Sequence, residues 1–290
     1  MKTFGMSVEY YKLCRHPVFC YYNRKERVEN MPKNIAVITG ASGGLGREFV
    51  RLFTKDDSIQ EIWAVARKKD KLEKLQKEFG SKIRIFSYDL SDIEQIERFT
   101  KEYTKEYTKG SIHISYLVNN AGYAKFGAYN DISVSQSLNM IQLNVNSVVA
   151  MGLYSIPYMS AGSHIINIAS QASFQPLPYL NIYAATKAFV RNYTRALHRE
   201  LKECRISATA VCPGWMHTDF IQAGKIGAKK SVNCFWGIVM PHFVAKKAVK
   251  DAKKGKDISV YGWYVKTCHV LSKIIPQRLV MYVWKKQQHF

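Results

Sequence analysis

Tyr183 and Lys187 stand four residues apart in Asn181-Ile-Tyr-Ala-Ala-Thr-Lys187, and Ser170 precedes the tyrosine by thirteen residues. On a helix, residues four apart share a face, so a phenol and an ammonium would point the same way. A free phenol titrates near ~10, too high for ready proton exchange at neutral pH. A neighbouring cation favours the phenolate. The pair is thus a candidate general acid/base with a pKa moved toward working pH, and Ser170 is a candidate donor to a developing oxyanion.

Such residues need a frame. Asn34–Thr39, Glu61–Ala66, Lys82–Tyr88, Ile114–Asn119, Ser163–Ser170, Ile206–Cys212 and Asp257–Tyr261 read as short apolar strands. Helical patterns separate them, including a long helix over Ser133–Met159, one over Ile182–Cys204, and one opened by a capping box at Ser91-Asp-Ile-Glu94. Strands alternating with helices predict an α/β fold, a Rossmann-like doubly wound parallel sheet of about seven strands with helices on both faces. The predicted organisation is an extension over 1–33, a catalytic domain over 34–261 with a substrate lid at about 213–240, and a C-terminal amphipathic helical extension over 262–290.

Gly40-Ala-Ser42-Gly43-Gly44-Leu45-Gly46 follows the first strand and opens a helix. Glycines there allow a tight turn and close approach to a pyrophosphate, and the helix N-terminus offers free N–H groups. At the end of the second strand, where an NAD site carries an acid for the ribose 2′-OH, the sequence reads Ala66-Arg67-Lys68. A guanidinium suits a 2′-phosphate, so NADP(H) is the expected cofactor in preference to NAD(H).

Composition narrows the class. No Cys-x-x-Cys occurs among six cysteines, which argues against a disulfide scaffold or zinc site, and no metal is expected. No signal-like or membrane-spanning apolar run appears, so the expected location is cytoplasmic. The net charge is +21, but the lysines sit in helix-like segments with interspersed acids, and nucleic-acid binding is not expected. Ile132–Thr186 holds no Asp, Glu, Lys or Arg over 55 residues. A surface helix keeps a charged face, so this run predicts a homodimer or homotetramer formed through helices within 132–204.

Together these pieces resemble the short-chain dehydrogenase/reductase family over roughly Asn34 to Phe220. The motifs are Thr39-Gly40-x-x-x-Gly44-x-Gly46, Asp89-Leu90, Asn119-Asn120-Ala121-Gly122, Asn144, Ser170, Tyr183-x-x-x-Lys187 and Pro213-Gly214 followed by Thr218. The stretch after Pro176 is more specifically similar to the hydroxysteroid and long-chain 3-oxoacyl reductase branch. The resemblance implies that Asp89, with Leu90, lies near the adenine, and that Asn119, Ala121 and Gly122 hold the adenosine side. It implies a water anchored by Asn144, a substrate oxygen bonded by Ser170, and a nicotinamide ribose held by Lys187, which also lowers the pKa of Tyr183. Thr218 and the backbone at Pro213 and Gly214 would hold the carboxamide and pyrophosphate.

The expected reaction interconverts a ketone and a secondary alcohol, with Tyr183 moving the proton. Phe174, Leu177, Tyr179, Trp215, Met216, Phe220, Phe235, Trp236 and Met240 are the candidate substrate contacts, and they suit a bulky hydrophobic small molecule, steroid-like or long-chain. A 3-oxoacyl thioester reductase and a noncatalytic NADP(H)-binding regulator are the alternatives. Residues 1–33 are compatible with an arm or with a translation start at Met31. The two amphipathic stretches split by Pro276 are compatible with covering the pocket, extending a dimer, or peripheral membrane contact, with packing on the protein preferred.

Overall fold

The computed structural model describes residues 32–107, 112–227 and 231–290. The expected N-terminal extension, its Cys14 and Cys20, and the proposed start at Met31 lie outside the described residues. Seven strands form one parallel sheet in the order β3-β2-β1-β4-β5-β6-β7. They are β1 (Lys33–Thr39), β2 (Glu61–Ala66), β3 (Ile83–Ser87), β4 (Ile112–Asn119), β5 (His164–Ile168), β6 (Ser207–Val211) and β7 (Ile258–Ser259).

The helices are α1 (Gly44–Thr54), α2 (Lys69–Phe79), α3 (Ile93–Tyr107), α4 (Val134–Ile141), α5 (Ser147–Ser155), α6 (Asn181–Glu200), α7 (Phe220–Lys225), α8 (Pro241–Lys253), α9 (Trp263–Ile274) and α10 (Gln277–Gln287). Side chains alternate across a strand, and β1 shows the consequence. Ala36 and Ile38 enter a core layer with Phe49 and Val50 of α1 and Ala248 of α8. Ile35 and Val37 enter the opposite layer, with Phe99 of α3, Met151 of α5 and Leu197 of α6. The strand order reverses direction between β1 and β4, and a crevice opens there at the strands' carboxyl ends.

Two local expectations are corrected. The long helix over Ser133–Met159 is broken: Ser133 caps α4 by accepting from the Gln136 amide, and a π-helical turn over Gln142–Asn146 separates α4 from α5. The helix after β3 begins with Asp92, whose carboxylate accepts from the Glu94 amide, while Ser91 Oγ donates back to Asp89. An aspartate two residues before the free N–H outcompetes the serine because it accepts through a full charge. The charge-free run also has an internal cause. Ser155 of α5 donates to buried Tyr103 and Tyr154 donates to Glu97, so α3 covers one side of α5.

Candidate active site

The first part of the site is a bare cradle. Gly40 (φ +62°) and Gly44 (φ +52°) take left-handed backbone, and a Cβ on Gly46 would lie 2.2 Å from the Gly40 carbonyl and 2.6 Å from Asn120 Nδ2. Only glycine permits this closeness. Asn120, in the Asn119-Asn120-Ala121-Gly122 motif, fastens the loop by donating from Nδ2 to the Thr39 and Gly40 carbonyls. Thr39 Oγ1 in turn accepts from the Asn120 and Ala121 amides. The N-terminus of α1 has no side-chain cap and no acid in its first turn. A Cβ on Gly43 would meet nothing within 4 Å. Free N–H groups facing open space fit an anionic pyrophosphate.

The second part holds the titratable groups. Tyr183, Ser170 and Lys187 are all buried. Ser170, two residues past β5, accepts from the Ala172 amide and shares the cavity wall with Tyr183. Lys187 Nζ donates to the Ile168 carbonyl at 2.7 Å and lies 5.8 Å from the Tyr183 ring centroid. Asn144, fully buried in the π-helical turn, donates to the Tyr123 carbonyl and Thr186 Oγ1 and accepts from the Tyr123 amide. A Cβ on Gly122 would sit 2.8 Å from Asn144 Oδ1 and 3.5 Å from Lys187 Nζ, so that glycine clears the space where the two groups meet.

The expected direction of the Tyr183 shift is reversed in this structure. Burial pushes the phenol up to about 12, and the Ser170 hydroxyl opposes this without offsetting it. Burial also pulls the Lys187 ammonium down to about 8. Both shifts have one cause: a dry site disfavours whichever form is charged.

A cavity of about 660 Å³ joins the two parts. Gly40, Ser42, Gly43, Gly44, Leu45, Ala121 and Gly122 line one end. Ser170, Tyr183, Lys187, Pro213, Gly214 and Thr218 line its middle, and Trp215, Met216, Leu177 and Phe220 its apolar part. Other expected residues stand elsewhere. Phe174 is buried against His269 and Val265 in a separate core cluster. Tyr179 stacks on Phe290 at 3.8 Å, and Trp236 is 60% exposed. Leu90 is buried in the core layer beneath β2 and β3, and Asn119 Nδ2 donates to Asn167 within the sheet. Arg67 and Asp89 do not line the cavity; they pair with each other at 3.7 Å, and the Asp89 carboxylate also accepts from Ser91.

Sequence reasoning missed one pair of groups. Gln171 and Gln175 line the cavity, and the side-chain oxygen of each is buried with no hydrogen-bond partner among the described residues. Their signal was two amides in an apolar loop just past a strand end. The C-terminal stretches, for which covering the pocket was one of three expected roles, do form a wall: Leu271 of α9 and Val280, Val283 and Trp284 of α10 face the same cavity. Trp284 Nε1 donates to the Pro178 carbonyl, and Gln288 accepts from the Asn233 and Cys234 amides, which together tie the wall to the body.

Residues 34–226 match the family model described as short chain dehydrogenase. An uncharacterized oxidoreductase of Staphylococcus epidermidis is 26% identical over 202 residues, covering 69% of this chain and 85% of that protein. The 11-beta-hydroxysteroid dehydrogenase-like 3 protein of Arabidopsis thaliana is 30% identical over 197 residues, covering 66% of this chain and 62% of its own. Among solved structures, the closed form of serine dehydrogenase complexed with NADP+ aligns with a TM-score of 0.67 at 28% identity, over 78% of this chain and 94% of that chain. A short-chain dehydrogenase from Sphingobium yanoikuyae in complex with NADPH gives a TM-score of 0.68 at 22% identity, over 84% of this chain and 97% of its own, and shares the fold. With residues 34–226 matched by that family model, the chain belongs to the short-chain dehydrogenase family of oxidoreductases.

Proposed function

We propose that the protein is an NADP(H)-dependent reductase of a bulky hydrophobic ketone, acting through Tyr183. The observation that carries this reading is the burial of Ser170, Tyr183 and Lys187 together on one cavity that Leu177, Trp215, Met216 and Phe220 also line. A reduced nicotinamide bound in the cradle would supply the two electrons and hydrogen for the carbonyl carbon. The chain's own part is acid and electrostatic. Ser170 donates to the substrate oxygen as negative charge develops, and Tyr183 passes its proton to that oxygen. Burial keeps the phenol protonated at neutral pH, the form that reduction requires. An alkoxide is more basic than a phenolate, so the transfer remains downhill. Lys187 places a cation next to the phenolate left behind, and Asn144 fixes the Tyr123 backbone at the cavity edge.

Arg67 supports the phosphate-bearing cofactor: it follows β2 directly where an NAD site would carry an acid, and its guanidinium stays 59% exposed although it pairs with Asp89. The unpartnered oxygens of Gln171 and Gln175 support a substrate that also carries a hydrogen-bond donor, such as a second hydroxyl. Self-association through α4, α5 and α6 is supported by exposed Leu138, Leu153 and Phe189, and sedimentation velocity at micromolar concentration reads it directly. A screen of steroid, bile-acid, long-chain acyl and small aromatic ketones, run with NADPH and with NADH, tests the assignment. Faster turnover of hydroxylated apolar ketones with NADPH is expected. A preference for NADH, or for acyl thioesters alone, would overturn it.

A further inference from the structure

The cavity wall formed by α9 and α10 has an outer side that the oxidoreductase reading leaves unused. Trp263 is 79% exposed, Ile274 74% and Tyr282 64%. Leu271, Leu279 and Val283 are also exposed, and these three line the cavity at the same time. The mouth of the cavity therefore opens within an apolar surface. Five basic residues accompany it: Lys266 and Lys273 on α9, and Arg278, Lys285 and Lys286 on α10, all exposed. No Asp or Glu occurs anywhere from Ile258 to Phe290.

We propose that this face docks on an anionic phospholipid bilayer, with the cavity mouth turned toward the lipid. An apolar strip combined with unneutralised Lys and Arg is the chemistry that an anionic interface selects. No helix among the described residues is long and apolar enough to cross a membrane, so the contact is peripheral. A second copy of the chain fits worse. A twofold contact places the same patch against itself, and here it would bring five positive charges against five with no acid between them. The wall is also anchored rather than loose: Val265 is buried, and Trp284 and Gln288 bond to the body. Docking would thus present the mouth in a fixed orientation. Delivery of an apolar ketone from the bilayer rests on the function proposed above, whereas the docking itself does not.

Vesicle co-sedimentation of the full chain tests the proposal. Binding to vesicles containing phosphatidylglycerol is expected at low salt, with release at high salt and little binding to pure phosphatidylcholine. K285Q/K286Q should weaken partitioning about 30-fold, at about a factor of five per basic residue. Ile274→Asp should weaken it while leaving the five cations in place. None of these three residues lines the cavity, so turnover of a water-soluble ketone should stay at the wild-type level in both variants. If no protein turns over any ketone while lipid binding and its salt dependence persist, the function fails and the docking stands. Two results would overturn the docking: no binding at low salt, or equal binding by wild type and both variants. A dimer that Ile274→Asp dissociates, with no vesicle binding, would overturn it in favour of a second copy.

Discussion

Replacing Lys187 with methionine should stabilise the cofactor-free protein at neutral pH, by an amount that shrinks as pH rises. The ammonium is buried, and burial pulls its pKa from 10.5 to about 8. Below pH 8 the folded and unfolded states both carry the proton, so the folded state bears the full cost of a buried charge. Between about 8 and 10.5 the folded state has shed the proton and the unfolded chain has kept it, so the cost falls. Above 10.5 both are neutral and the cost is gone. At ~1.4 kcal/mol per pKa unit, the shift corresponds to about 3 kcal/mol at pH 7. Linkage leaves about 2 kcal/mol of it at pH 9. Methionine also forfeits the bond to the Ile168 carbonyl, a pH-independent loss of about 1–3 kcal/mol. The diagnostic quantity is therefore the slope: the stability difference between variant and wild type should change by about 1 kcal/mol from pH 7 to pH 9. Urea unfolding followed by tryptophan fluorescence at the two pH values measures it, and the difference cancels the titrations common to both proteins. A difference that does not move with pH would refute a buried, charge-penalised Lys187.

Other substitutions probe the remaining parts. Gly46→Ala places a methyl 2.2 Å from the Gly40 carbonyl; an overpacking loss of about 1–3 kcal/mol should appear in thermal unfolding, together with weaker NADPH binding by fluorescence titration. Arg67→Ala should raise the KM for NADPH by roughly tenfold or more, the scale of a lost charge-assisted contact, and leave that for NADH unchanged; steady-state assays with both cofactors measure this. Gln175→Leu should favour purely apolar ketones over hydroxylated ones by roughly tenfold in kcat/KM, the scale of relieving one unpartnered polar group, as competition assays would reveal.

The fold was legible because its signals are local. Alternating apolar runs gave the strands of β1, β2 and β4 within a residue or two, and the glycine cradle sat where a strand feeds a helix. What escaped depended on distant partners. A 27-residue apolar stretch looks like one helix; the break that turns Asn144 inward is set by its bonds to Tyr123 and Thr186. Phe174 and Tyr179 are as apolar as Trp215, yet His269 and Phe290, far along the chain, hold them in other contacts. Periodicity reports that a face is buried, not which cluster covers it. The Tyr183–Lys187 spacing correctly suggested two groups on one side of a helix, but spacing carries no information on burial, and burial decides the direction of both shifts.

In the proposed reaction Tyr183 moves the proton while NADPH would supply the hydride. The most direct test of that role is the single-turnover rate of ketone reduction by Tyr183→Phe, with NADPH affinity measured on the same sample. Removing the hydroxyl takes away the donor while the ring keeps its packing against Phe220, so unchanged NADPH binding with a rate at least about a thousandfold lower is expected, within the range of lost acid catalysis. A variant that binds NADPH and reduces ketone at a rate close to wild type would rule Tyr183 out as the proton donor.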